Sequence, residues 1–180
     1  MIDPGTAPSG ETVSDYCRRR WGGAGWTNHL KSEGRKDGAR FSDWKWWPNT
    51  SKAHQLVNYV DKNNICSTDR VNALLFEAEY ERGENISLVD VLVEVGQRAG
   101  VENVEDLRAY LTNDDGNSEV QREIMQGRRR YQISGVPFFI VSGPPKSDGS
   151  ISRPYGFSGA QASDTFVEVF EELAADNNTN

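Results

Sequence analysis

The apolar residues between positions 50 and 132 follow a helical pattern. They recur at spacings of three and four, which places them on one face of each of five successive segments. Residues suited to cap a helix N-terminus stand before four of these segments, namely Asn49 or Thr50, Ser67 or Thr68, Ser87, and Asn103. Glycines close two segments, at Gly83 and Gly100. The pattern predicts a body of amphipathic helices with these side chains inward: Ala53, Leu56, Val57, Val60, Val71, Leu74, Leu75, Ala78, Leu88, Val91, Leu92, Val95, Val104, Leu107, Leu111, Val120, Ile124 and Met125.

The pattern before residue 50 is less regular. Residues 1–11 hold two prolines and two glycines, which predicts a loop. Helix formers from 12 to 21 predict a short helix with Cys17 on its inner side. After a glycine-rich break, a second helix is predicted over about 26–32, and we expect it to end at Gly34.

Residues 41–50 carry three tryptophans ahead of a proline. Partial alternation and the proline predict an extended segment rather than a helix. Large rings bury much area, so we expect the segment to pack over apolar surface. Binding of a ligand ring or of a partner is the alternative interpretation.

The hydrophobic period changes from helix to strand near the C-terminus. Residues 135–141 are rich in β-branched and aromatic side chains and enter through a Val-Pro bond, which predicts a buried strand. A Gly/Pro turn over 142–149 precedes a weaker antiparallel partner at 151–157, where Pro154 suggests an edge strand. A terminal helix is predicted next, with a polar tail over 176–180, and its apolar face is formed by Phe166, Val167, Val169, Phe170 and Leu173.

Composition indicates a globular chain with a net charge that disfavours anionic partners. The 180 residues are 36% hydrophobic and 26% charged, which suits one domain with a sizeable core. A net charge of -7 opposes binding to phosphate backbones or anionic lipid, so we expect neither a nucleic acid nor a membrane partner. We see no apolar run long enough for a membrane helix and no export signal, so we expect a cytoplasmic protein.

Two cysteines, Cys17 and Cys66, limit the thiol chemistry. They are far apart and form no C-x-x-C, which argues against a metal cage or a vicinal redox pair. We expect two reduced thiols, no metal and no cofactor. Cys66 precedes a helix N-terminus, a position that lowers a thiol pKa, but such a thiol without a nearby base is usually inert.

Several short motifs occur in an order that resembles the DsbA-like thioredoxin-fold family of the FrnE type. The resemblance extends from about Ile2 to Leu173 and is carried by Pro48-Asn49-Thr50, Ala53-His54-Gln55-Leu56, Leu75-Phe76-Glu77-Ala78, Asn85-Ile86-Ser87, Gly135-Val136-Pro137-Phe138-Phe139 and Phe157-Ser158-Gly159-Ala160-Gln161. The family is related to kappa-class glutathione transferases and 2-hydroxychromene-2-carboxylate isomerases, and most of its members are thiol-disulfide oxidoreductases.

The resemblance implies a mostly helical α+β fold, thioredoxin-like with an α-helical insertion. It divides the chain into an N-terminal lead over 1–49, the insertion over 50–132, the C-terminal part of the thioredoxin fold over 133–175, and the polar tail.

The resemblance also implies a substrate groove. Val136-Pro137 corresponds to the cis-proline turn that offers its backbone to a substrate strand, and Asn49 and His54 are expected to face the groove from the insertion. A lone histidine beside an apolar face is most often structural, so His54 needs a partner before a catalytic role follows. We assign no catalytic residue.

In the family, a strand, a helix bearing C-x-x-C or a replacement nucleophile, and a second strand precede the loop that Ile2-Asp3-Pro4 resembles. We therefore expect these 180 residues to hold a truncated thioredoxin sheet, reduced to the C-terminal hairpin, without dithiol activity. The alternatives are a binding protein that uses the cis-proline groove, or a glutathione-dependent isomerase or transferase. The expected partners are a protein or peptide thiol, or glutathione, together with a second copy of the chain paired through the edge strand.

Overall fold

The computed structural model describes residues 5–145, 149–150 and 154–178. The chain divides into two compact units, the first up to Glu123 and the second from Ile124 onward. The described residues are mostly helical, and their strands form two antiparallel sheets of two strands each. The predicted fold class, a mostly helical α+β fold, is confirmed.

An aromatic cluster forms the N-terminal part of the first unit. Its elements are strands β1 (Glu11–Thr12) and β2 (Trp46–Trp47), which pair with each other, and helices α1 (Val13–Trp21) and α2 (Trp26–Lys36). Tyr16 is buried, and its ring stacks on Trp47 with centroids 4.0 Å apart. Cys17 is buried on the inner side of α1, as predicted.

Two predictions for this region are wrong. Glu11 belongs to β1 rather than to a loop, because Trp47 supplies a strand partner from 36 positions further along the chain. Helix α2 passes through Gly34 instead of ending there. The Phe41 ring lies against Gly34 where a Cβ would collide with it, so this glycine gives packing space and does not end the helix.

Helices build the core of the first unit. They are α3 (Ser51–Lys62), α4 (Thr68–Phe76), α5 (Val89–Ala99), α6 (Val104–Thr112) and the first turns of α7 (Asn117–Tyr131). Their buried apolar side chains form one cluster, in which Leu56, Leu92, Leu107 and Leu111 have no solvent exposure. Ser67 caps α4 through the Arg70 amide, Asn103 caps α6 through the Asp106 amide, and Gly100 ends α5 in a left-handed conformation. These local signals were read correctly from the sequence.

Two residues predicted to be inward are exposed. Leu88 precedes the first turn of α5, so the periodicity of that helix does not constrain it. Met125 is five residues after the buried Val120 on α7, and five steps of a helix turn it about 140° away from that residue.

A π-helical turn, Glu77–Glu81, follows α4 and holds the tryptophan segment in place. The Glu81 carboxylate accepts hydrogen bonds from the backbone amides of Arg40, Phe41 and Ser42 and from the Ser42 hydroxyl, at 2.7–3.1 Å. These donors, the Ser42 hydroxyl first, hold the pKa of Glu81 below its ordinary value. A single side chain thus organises a turn 40 residues away in sequence.

The second unit contains a hairpin and the terminal helix. Strands β3 (Phe138–Val141) and β4 (Tyr155–Ser158) pair antiparallel with Phe139 opposite Phe157. Helix α8 (Ser163–Asn178) places the Phe166 ring 4.9 Å from Phe139 and 5.1 Å from Phe157, centroid to centroid. The predicted hairpin and terminal helix are therefore present, although residues 146–148, 151–153 and 179–180 lie outside the described part of the chain. The prediction of a buried strand is wrong, because α8 covers one face only and no residue of β3 is fully buried.

The apolar face predicted for α8 is only partly inward. Leu173 is buried, whereas Val167 and Phe170 are exposed. Phe170 lies one turn after Phe166 on the same face, with ring centroids 6.4 Å apart, yet it keeps 55% of its accessible surface. The helix also continues to Asn178, into the segment predicted as a polar tail.

Candidate functional site

The Val136–Pro137 turn lies at the start of β3 on the surface of the second unit. Its peptide bond is cis, both residues are exposed, and Val136 keeps 59% of its accessible surface. The Pro137 carbonyl accepts a hydrogen bond from the Gly159 amide at 2.8 Å. Gly159 has a φ of +86°, a left-handed conformation that favours glycine. This bond ties the turn to the segment after β4.

One edge of the hairpin is open beside this turn. Within the described residues, only β4 pairs with the backbone of β3. Phe139 turns toward Phe157 and Phe166, so the neighbouring Ile140 points to the opposite face of the sheet, where 43% of its surface is exposed. The strand therefore offers both unpaired backbone groups and an apolar side chain to solvent.

Asn49 lies in the first unit and hydrogen-bonds to three segments of it. Its backbone amide donates to the Ser87 hydroxyl at 2.8 Å, and its side-chain amide donates to the Thr6 carbonyl at 3.4 Å. Its side-chain oxygen accepts from the Ser51 amide, which caps the start of α3. Both ends of this side chain are engaged, so Asn49 holds together three segments of its unit.

Ser87 was predicted to cap α5, and that prediction is wrong. The N-cap position is Leu88, which makes no side-chain cap bond, and Ser87 is buried with its hydroxyl on the Asn49 amide. Gly10 approaches this pair so closely that a Cβ would meet the Ser87 hydroxyl, and its φ of +73° also suits glycine. Tertiary packing thus engages Ser87 with the distant Asn49 instead of with the start of α5.

A polar cleft of about 200 Å³ opens beside Asn49. The Lys52 ammonium donates to Asp114 at 2.7 Å, and Gln55 donates to the same carboxylate at 3.0 Å. Lys52 in turn holds the pKa of Asp114 below its ordinary value. The cleft is lined by Pro8, Asn49, Ser51, Lys52, Ser87, Asp114 and Asn117.

His54 lies one turn into α3 with its side chain exposed. Its backbone amide donates to the Thr50 carbonyl, as helix geometry requires, and no described side chain bonds to its imidazole. Asn49 and His54 therefore share the start of α3 in the first unit, whereas Val136 and Pro137 belong to the second. Desolvation by the surrounding protein lowers the pKa of the His54 imidazole below its ordinary value.

The two thiols are free and lie in different apolar clusters. Cys17 is completely buried in the aromatic cluster, and burial raises the pKa of its thiol. Cys66 is half-buried at the edge of the helical core, and its sulfur contacts the Ser67 carbonyl oxygen at 3.5 Å. Neither cysteine has the other as a partner.

Glu79 is a buried carboxyl group that the sequence pattern did not reveal. It lies in the π-helical turn with 2% of its surface exposed, and neither carboxyl oxygen finds a hydrogen-bond donor among the described residues. Burial raises its pKa to about 8, against a smaller opposing effect of the Trp44 indole. Glutamates alternate through Glu77, Glu79 and Glu81, and only the irregular turn decides which one points inward.

No cluster of three or more metal-binding side chains occurs in the described part of the chain. Among the described helices, none combines the length and the apolar character needed to cross a membrane.

Comparison with known proteins identifies one family. No curated protein matches the chain significantly. The family model for the DSBA-like thioredoxin domain matches residues 38–171, well over half of the chain, and this range includes the helical core, the Val136–Pro137 turn, the hairpin and most of α8. The chain therefore belongs to the DSBA-like thioredoxin domain family.

Proposed function

We propose that this chain is a polypeptide-binding member of the DSBA-like thioredoxin domain family whose own cysteines carry out no dithiol-disulfide exchange. The ligand is an extended segment of a protein or peptide, which adds to the open edge of β3 beside the Val136–Pro137 turn. The observation that carries the proposal is this exposed edge. The FrnE-type placement within the family is part of the same proposal, supported by the order of the sequence motifs.

Backbone pairing supplies the affinity in this mode of binding. An added strand satisfies the amides and carbonyls that β3 directs away from β4, and side chains at alternate positions of the ligand meet the exposed Ile140. The open edge also supports the proposal that a second copy of the chain pairs there, because β3 of another molecule is itself an extended apolar segment.

The state of the two thiols supports the absence of dithiol chemistry. Disulfide exchange needs an accessible thiolate that attacks a disulfide and, for release, a second thiol within reach. Cys17 is buried with a raised pKa, and Cys66 lies in a different cluster. Dithiol-disulfide exchange by this protein would therefore need a thiol other than those of Cys17 and Cys66.

Binding can be measured with reduced, carboxymethylated α-lactalbumin, an unfolded polypeptide without free thiols. We expect saturable binding by the wild-type chain and at least a tenfold loss of affinity in Ile140→Lys, because an edge lysine opposes strand addition. Leu88→Lys is the matched control, since it adds the same charge at an apolar residue that is 45% exposed in the other unit. Equal affinity in all three proteins would refute the proposed edge.

The catalytic part is tested separately by reduction of insulin with dithiothreitol. We expect the wild-type chain and the Cys17→Ser and Cys66→Ser variants to match the free-thiol background. Turnover above that background that disappears in Cys66→Ser alone would establish a single-thiol mechanism and overturn this part of the proposal.

A further inference from the structure

Trp21 and Trp26 expose a large aromatic surface on the first unit. They keep 48% and 39% of their accessible surface, and their ring centroids are 5.1 Å apart in an edge-to-face arrangement. Leu30, one turn after Trp26 on α2, is 41% exposed. We call these three residues the Trp face. Tryptophan is the residue most enriched where proteins bind each other tightly, and contiguous exposed apolar patches mark interaction sites.

The segment that carries the Trp face is basic in an otherwise acidic protein. Residues 13–40 contain seven Lys and Arg against three Asp and Glu, whereas the whole chain has a net charge of -7. Two of the three acids are already paired, Asp15 with Arg18 and Glu33 with Lys36. Arg20, adjacent to Trp21, is exposed and has no ion-pair partner among the described residues. The Trp face therefore suits an apolar partner with negative charge at its rim.

Helix α8 has that complementary chemistry. Its exposed Val167 and Phe170 are one turn apart, and they keep 49% and 55% of their surface. The sixteen residues of the helix include five acids and no Lys or Arg. In the described part of the chain, no cation pairs with Glu168 or Glu171, which directly follow Val167 and Phe170 in sequence. This is an acidic amphipathic helix in which the apolar side chains of Val167 and Phe170 remain exposed in the described part of the chain.

We propose that α8 of one copy docks on the Trp face of a second copy. Phe170 and Val167 pack against Trp21 and Trp26, and the acids of α8 face the basic segment that includes Arg20. This is helix-in-groove recognition, in which an amphipathic helix lays its apolar stripe on an apolar surface and charge complementarity sets the orientation.

The two docking patches determine which assemblies the chain can form. The two docking patches are different, so each copy offers one helix and one Trp face. Two copies can exchange both contacts and close as a dimer, or each can pass the contact to the next and extend as a chain. In both cases, damage to one patch leaves the other patch able to bind an undamaged partner.

Sedimentation of the purified chain from micromolar to millimolar concentration tests the proposal. We expect concentration-dependent association that weakens with added salt, because the rims of the two patches have opposite charge. Trp26→Ala and Phe170→Ala should each raise the dissociation constant at least about tenfold, a typical loss for a central aromatic contact. Leu30→Lys is a second Trp-face variant that leaves the buried ring packing in place.

A mixture of two variants distinguishes this interface from others. Phe170→Ala retains its Trp face and Trp26→Ala retains its α8, so the mixture should form a complex that neither variant forms alone. A chain that stays monomeric over the whole range would overturn the proposal, as would association that survives both substitutions in an Ile140→Lys background, where β3 pairing is blocked. Loss of association in Ile140→Lys alone would assign self-association to the β3 edge. Binding of the Trp face to vesicles that contain anionic lipid, without self-association, would assign it to a membrane.

Discussion

The helical core and the C-terminal hairpin differ in how many of their own backbone hydrogen bonds they make and in how many of their own apolar side chains they bury. Fifteen buried apolar residues form the core of the first unit. From Ile124 onward, Leu173 is the one buried side chain among the described residues. A helix makes its backbone hydrogen bonds internally and needs neighbours only for one face, whereas a strand needs neighbours at both edges and on its faces. The comparison shows why the helical body satisfies its own backbone, whereas β3 keeps one edge that is unpaired among the described residues.

The aromatic rings of the second unit cover only one face of the hairpin. Phe139, Phe157 and Phe166 contact one another and hold α8 to one face of the hairpin. Ile140 on the other face remains exposed. A two-stranded sheet with a single covered face is marginal in water, which leaves it available to an added strand.

Amide hydrogen exchange should give the largest contrast between the two regions. We expect slow exchange in α3, α5 and α6, where amides open only with global unfolding, and fast exchange over Phe138–Val141 in dilute solution. Protection of β3 should rise with protein concentration or on addition of a polypeptide ligand. If these amides were among the slowest in a demonstrated monomer, the contrast would be refuted.

Truncation of a core leucine tests the same contrast through stability. Leu107→Ala removes a side chain with no exposure and should reduce the free energy of unfolding by about 3–5 kcal/mol through lost burial and a cavity. Phe170→Ala removes a larger side chain that is 55% exposed, and it should cost less than about 1 kcal/mol in the monomer. Urea denaturation measures both changes. Similar losses in the two variants would show that α8 is packed far more tightly than its exposure indicates.

Glu79 makes the free energy of unfolding of the first unit depend on pH. Its pKa is about 8 in the folded chain and lies near 4.5 when exposed, so between these values folding takes up a proton. The stability contributed by this group falls as pH rises, by up to about 1.4 kcal/mol per pH unit. Glu79→Gln should remove this slope between pH 5 and pH 8 and be more stable than wild type at pH 7, by about 3 kcal/mol at most.

Urea denaturation at several pH values measures the effect. Glu77→Gln, in the same turn, is the control, because its carboxylate is partly exposed and paired with Arg98 at 2.7 Å. A wild-type slope that persists unchanged in Glu79→Gln would show that the carboxyl is ionised in the folded protein.

The thiols should show the smallest effect. Cys66 is half-buried and should react with Ellman's reagent in the folded chain, whereas Cys17 should react only when its cluster opens. Cys66→Ser should change stability by less than about 0.5 kcal/mol, as is usual near the surface. Rapid reaction of both thiols would show that the aromatic cluster opens independently of the helical core.

The sequence was sufficient to predict an element wherever its structure depends on residues close together in the chain. The spacing of Leu56, Leu92 and Leu107 identified their buried faces, and Asn103 and Gly100 marked helix ends, because capping and helical periodicity act over a few residues. The hairpin around Phe138–Val141 was predictable for the same reason, since a change of period and a Gly/Pro turn are visible in the sequence.

Tertiary structure decided the features in which distant residues compete with local ones. Ser87 gives up capping α5 to accept the Asn49 amide, Gly34 admits the Phe41 ring inside α2, and Glu11 becomes a strand residue because Trp47 lies beside it. These outcomes depend on which surfaces meet, and sequence spacing does not encode that. The sequence by itself therefore determined the helices, the hairpin and the lack of a C-x-x-C pair. Only the fold decided that Asn49 bonds to Ser87 and that one edge of β3 is unpaired among the described residues, because such contacts and free edges are properties of the folded chain.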